Sequence, residues 1–64
     1  MNNTGAIWYA VITDGDDYRD LTRGSYDLAE AYRIGRAALW NDPGAYIIAV
    51  DEDTDTVIDV FDDL

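Results

Sequence analysis

Apolar residues occur in three short bursts and one longer periodic stretch. The first burst, residues 6–13 (AIWYAVIT), is rich in aromatic and β-branched side chains and predicts a strand. Ile7, Tyr9 and Val11 alternate with Trp8, Ala10 and Ile12, so both faces are apolar. That pattern predicts a central strand with at least partial cover on its second face. Asp14-Gly15-Asp16-Asp17 predicts a turn, because Asp-Gly supplies the positive φ of a tight hairpin. Residues 18–21 are a candidate short strand, and Arg23-Gly24 a break after it. Ser25 is the expected helix N-cap, with Asp27 in the first turn favouring the positive end of the helix dipole. Leu28, Ala31, Tyr32, Gly35, Ala38 and Leu39 then recur at helical spacing. Glu30 and Arg33 lie three apart, outside that face, and are placed to pair. Gly35 costs about 1 kcal/mol against Ala in a helix, so a close approach to the sheet is expected there. The helix should stop near Trp40, before Asn41-Asp42-Pro43-Gly44.

The last two bursts, residues 46–50 and 57–61, predict a hairpin. A three-residue loop, Asp53-Thr54-Asp55, would pair Val50 with Ile58 and Ile48 with Val60. Those four would then form the face toward the helix, with Ile47, Ala49, Asp51, Val57, Asp59 and Phe61 on the other. The whole reads as one α+β domain over residues 1–64, β-(β)-α-β-β: a small antiparallel sheet of three to four strands with one helix on one face.

Composition changes the picture through charge. The 64 residues carry fourteen acids, twelve of them Asp, against four Arg and no Lys, for a net charge of −10. Such acidity repels nucleic acid and anionic membranes and attracts basic protein surfaces. A hydrophobic content of 48% argues for a folded domain in spite of the charge. There is no Cys, hence no disulfide or thiolate site to reinforce a small core. No apolar run reaches the ~20 residues of a membrane span. The opening MNNTGA has no basic stretch followed by an apolar run, so no signal peptide is expected, and a cytoplasmic protein is.

Catalytic chemistry finds little support. Without His, Cys or Lys the chain lacks the commonest general base, thiol nucleophile and amine nucleophile. Its single Ser, Ser25, reads as a helix cap. No enzymatic activity and no cofactor are expected. Calcium is a weaker candidate: Asp51, Asp53, Asp55, Asp59 and Asp62 fall at positions 1, 3, 5, 9 and 12 of an EF-hand-like count. Thr56 stands where the loop needs Gly, position 12 is not Glu, and a strand precedes Asp51, so an acid-decorated hairpin is the preferred reading and no metal is assigned.

The acidic surface is therefore the candidate site: Asp51, Glu52, Asp53, Asp55 and Asp59, extended by Asp62 and Asp63, with Asp14, Asp16 and Asp17 as a second cluster. A generic reason for such charge is solubility, but −10 exceeds the ~2–8 that suffices for a small domain. Residues rise ~3.3 Å apart along a strand, close to the ~3.4 Å axial phosphate spacing of one DNA strand, so a carboxylate-lined ribbon approaches the charge density of a duplex. A basic DNA-binding groove is the expected partner, bound by a monomer, with no direct contact to nucleic acid or membrane. In the competing reading Trp40, Phe61 or Tyr46, half exposed, anchors a protein interface and the acids serve only solubility.

In its opening run MNNTGAIWYAVITDGDD, single helix and acidic terminal hairpin, the chain resembles the small phage- and mobile-element-encoded anti-CRISPR proteins, most of all inhibitors of the type I-C Cascade complex. It is more loosely similar to antirestriction DNA mimics. The first resemblance implies an inhibitor acting in the host bacterial cytoplasm. It would occupy a Cas subunit of a type I Cascade that reads the protospacer-adjacent motif, and so block target DNA.

Overall fold

The three apolar bursts become three strands of a four-stranded antiparallel sheet, and a Gly-Ser pair supplies the fourth. The structure is a computed structural model that describes residues 6–13 and 21–64. Its elements are β1 (Ile7–Ile12), β2 (Gly24–Ser25), α1 (Leu28–Ala38), β3 (Tyr46–Asp51) and β4 (Thr56–Phe61). The strand order is β2-β1-β3-β4, with every neighbouring pair antiparallel. The class is the expected α+β, and β1 is central as its two apolar faces predicted.

Each face of the sheet carries its own cluster. On the helix side Val11, Ile47 and Ala31 are buried, with Tyr9, Tyr32, Ile34, Ala38, Phe61 and Leu64 packed around them. On the other side Ala10, Ile12, Ile48 and Val50 are buried, with Trp8 and Tyr46 against them. This corrects the expectation that Ile48, Val50, Ile58 and Val60 face the helix. The helix lies instead on the face of Ile47, Ala49 and Phe61. The two faces of β1 and β3 are nearly equal in apolar content, so alternation could not choose between them. The choice is made by partners: Phe61 meets the rings of Tyr9 and Tyr32 at centroid distances of 6.3 and 6.1 Å, and Leu64 closes over Gly35.

The hairpin register is half as expected. Ile48 pairs with Val60, but Val50 pairs with Val57 rather than Ile58. A register shift at Ala49/Val50 leaves Ile58 as the extra residue of a β-bulge. The turn spans four residues, 52–55, not three. Asp55 sits there at φ 56°, a left-handed conformation that Asp tolerates better than most residues. The longer turn moves the start of β4 by one position, and the bulge restores the Ile48–Val60 pairing further along.

Two local expectations also change. The short strand is Gly24–Ser25, which pairs with Ala10 and Tyr9, so Arg23-Gly24 does not break the chain. Gly24 has φ 155°, and a Cβ there would collide with the Tyr9 carbonyl, so glycine is what allows the close approach. Positions 18–20 of the expected strand, the 14–17 turn and the 1–5 terminus lie outside the described residues. The helix N-cap is Asp27, whose side chain accepts from the Ala29 amide at 3.3 Å. Ser25 is committed to β2, and its hydroxyl accepts from the Asp27 amide at 2.9 Å, positioning the cap instead of forming it.

The helix otherwise follows the sequence. Ala31 and Gly35 are buried, and Tyr32 and Ala38 pack at their side with Ile34. It ends at the Leu39 cap, one residue before Trp40. The expected Glu30–Arg33 ion pair forms. Among the described residues no helix is long and apolar enough to cross a membrane.

Candidate partner-binding surface

The acidic hairpin is built from β3, the 52–55 turn, β4 and the residues after it. After Arg36 the sequence holds no basic residue, while Asp42, Asp51, Glu52, Asp53, Asp55, Asp59, Asp62 and Asp63 follow. Asp51 is half-buried at the end of β3, opposite Ile7 and Thr56. Glu52, Asp53, Asp55, Asp59, Asp62 and Asp63 are exposed. Asp14, Asp16 and Asp17 lie outside the described residues.

Several of these carboxylates are oriented by neutral donors. Asp51 accepts from the Asp53 amide at 2.9 Å, which folds the entry of the turn. Glu52 accepts from the Tyr26 phenol, at 2.8 Å to one oxygen and 3.0 Å to the other. Asp59 accepts from the Val60 amide at 2.8 Å, and Asp63 from the Tyr32 phenol at 3.0 Å. An amide or phenol donor fixes a carboxylate without cancelling its charge, whereas an arginine would do both. The surface is thereby ordered and still negative.

The tyrosines register this arrangement. The Glu52 carboxylate holds the Tyr26 hydroxyl above its ordinary value, first through the hydrogen bond and then through desolvation and charge. Asp63 does the same to Tyr32, with desolvation and the Asp63 charge adding to it, Arg36 opposing and Asp59 contributing. Asp63 therefore sits at Tyr32, a residue of the helix-side cluster, and the Asp59 charge acts on the same phenol. The Arg36 guanidinium stands 5.4 Å over the same ring.

The acids thus fall into a turn group, Asp51, Glu52, Asp53 and Asp55, and a group toward the chain end, Asp59, Asp62 and Asp63. β4 separates the turn group from Asp62 and Asp63 by up to ~17 Å at the usual strand rise, with Asp59 on the strand itself. The EF-hand-like count does not fold into a loop: Asp51 ends one strand, and residues 56–61 form the next. No group of three or more metal-ligating side chains converges among the described residues.

Sequence reasoning missed Tyr26 and Tyr32 as orienting residues. Their partners are 26 and 31 positions away, and no local spacing connects them. It also underestimated the exposed apolar surface. Trp40, expected half exposed, is 89% exposed, and Val57, Ile58 and Val60 of β4 stand open on the strand at the sheet's edge. Phe61 and Tyr46 are partly buried, packed against the two clusters. Comparison with protein families, curated proteins and solved structures found no match.

Proposed function

We propose that this chain is a non-enzymatic DNA mimic that occupies the basic DNA-binding surface of a bacterial CRISPR-Cas Cascade complex and blocks target-DNA recognition. It would act as a monomer in the host bacterial cytoplasm. The observation that carries the reading is the ordering of the hairpin carboxylates by phenol and amide donors, which keeps their charge available. Arg and Lys that would otherwise hold phosphates engage these carboxylates, and DNA is displaced by competition. The resemblance to type I-C Cascade inhibitors supplies the identity of the target. An antirestriction-type mimic would use the same chemistry on a different basic groove.

The test is target-DNA binding by purified type I-C Cascade with and without the protein. Inhibition is expected, and it should weaken as salt rises past ~0.1 M, where the Debye length is ~10 Å. Glu52→Gln, Asp55→Asn and Asp63→Asn together should abolish it while circular dichroism stays unchanged. Asn suits position 55 because it tolerates the left-handed backbone there. Full inhibition by the folded triple variant would overturn this assignment of the site.

One observation favours a second reading, a protein-interaction module in which an aromatic anchors the contact. Trp40 is the most exposed large apolar residue described, at 89%. If Trp40→Ala abolishes binding and the triple neutralisation does not, the module reading replaces mimicry.

A further inference from the structure

Duplex DNA offers a protein groove phosphates, but the hairpin offers more than carboxylates. Val57, Ile58 and Val60 of β4 are 44, 54 and 52% exposed, with Ile58 the extra residue of the bulge. Val57 and Val60 stand opposite Val50 and Ile48, so they extend the buried cluster on the face away from α1 out to the rim of the sheet. Asp53 and Asp55 lie before this apolar strip in the chain, and Asp62 and Asp63 after it.

Three occupants can be weighed. A second copy would bring two chains of net charge −10 together through their most acidic element, which like-charge repulsion opposes. An anionic lipid surface is repelled for the same reason. A strand added to the β4 edge is discouraged as well: the bulge bends the edge, and the Asp59 carboxylate already holds the Val60 amide. What fits is an apolar contact through side chains, bordered by positive charge.

We infer that the β4 strip docks a basic amphipathic segment of the partner protein, whose apolar side chains cover Val57, Ile58 and Val60 while flanking Lys or Arg reach the turn acids at one end and Asp62 at the other. This rests on reading the hairpin as a binder of basic protein surface, and it adds a contact that phosphate mimicry alone does not require. The strip supplies the salt-independent part of the affinity, and the acids supply encounter and register.

The probes are two short synthetic peptides of equal length and charge, one alternating lysine with valine and the other lysine with serine. Each is titrated into the full-length protein and followed by backbone amide shifts. The lysine–valine peptide should bind about tenfold more tightly, a difference within reach of a few buried methyl groups. Its shifts should centre on residues 56–61, and the advantage should persist at high salt. Val57→Ser with Val60→Ser should erase the advantage but leave lysine–serine binding unchanged. Both positions are exposed, and a retained amide spectrum verifies the fold. Equal binding of the two peptides would overturn the docking inference while leaving the charge reading standing. Failure of both to bind would overturn both. A dimer in sedimentation at low salt that Val60→Ser dissociates would assign the strip to a second copy and overturn the inferred occupant.

Discussion

The phenol of Tyr26 donates to both carboxylate oxygens of Glu52 across 26 positions of chain, tying the segment before the helix to the acidic turn. The same ring meets Trp8 edge-on at 4.8 Å, and the Trp8 indole donates to the Leu21 carbonyl at 2.7 Å. One residue therefore positions a surface carboxylate and cross-links β1 to the loop around β2. Tyr26→Phe removes only the first role and Tyr26→Ala removes both. The Phe variant should keep its thermal midpoint within a few degrees and lose affinity for the basic partner. The Ala variant should also lose midpoint and alter the near-ultraviolet signal of Trp8. Equal partner affinity for wild type and Tyr26→Phe would show that orienting Glu52 does not matter to binding.

The two described glycines at close contacts should respond oppositely to substitution. Gly24→Ala puts a Cβ against the Tyr9 backbone at φ 155°, where neither strand can yield. A loss of about 1–3 kcal/mol in urea unfolding is expected. At Gly35 the nearest atom to an added Cβ is the Leu64 Cδ1 at 2.8 Å, the tip of a flexible side chain, while Ile47 is at ordinary contact distance, 3.5 Å. Leu64 can swing aside, and the helix gains up to about 1 kcal/mol of propensity. Gly35→Ala should therefore be neutral or mildly stabilising. A loss above about 1 kcal/mol would mean that Leu64 is locked in place.

What the sequence revealed follows from what is local. The strands at 7–12, 46–51 and 56–61 and the helix at 28–38 were legible because their periodicities are carried by neighbouring residues. The central place of β1 was legible because both its faces are apolar. The side on which the helix sits was not: Ile47 and Ile48 are equally apolar, and the deciding contacts involve Phe61, Tyr32 and Leu64, distant along the chain. The bulge at Ile58 was hidden for a related reason, since a four-residue turn with a bulge and a three-residue turn without one give the same Ile48–Val60 pair. At the candidate surface the acids were visible by composition, whereas their orientation by Tyr26 and Tyr32 depends on the tertiary fold.

The helix-face assignment yields a mutational test. Ile47 and Ile48 are both fully buried, yet they lie on opposite faces of β3. Truncation of either to Ala should cost about 2–5 kcal/mol, a large share of the stability of so small a domain. The consequences should differ in place. Ile47→Ala faces Ala31 and should raise amide exchange along 28–38, while Ile48→Ala should raise it mainly in β1 and β4. Val60→Ala, at the exposed rim, should cost well under either. Greater exchange in the helix for Ile48→Ala than for Ile47→Ala would reverse the face assignment.

Alkaline titration isolates the two tyrosine contacts. The chain has no His, Cys or Lys to obscure the Tyr26 and Tyr32 contacts above neutral pH. Tyr26 and Tyr32 are raised from the ordinary 10.0, first by their hydrogen bonds to Glu52 and Asp63. A raised value in the folded state means that the neutral phenol is favoured there. Its contribution to stability is full below pH 10 and disappears as pH rises through the folded value. Stability in urea should accordingly be flat from neutral pH to the onset of tyrosine ionisation and fall beyond it. Tyr26→Phe with Tyr32→Phe should lower the neutral plateau and flatten the alkaline fall, because the groups responsible for it are gone. Glu30 works in the other direction: its hydrogen bond to Arg33 lowers it from 4.5, so that contribution is present above 4.5 and lost on acidification. Acid also relieves repulsion among the exposed carboxylates, which opposes this loss and leaves the alkaline limb as the cleaner measurement. If the double Phe variant falls as steeply with alkali as the wild type, the Glu52 and Asp63 contacts do not hold the phenols in solution.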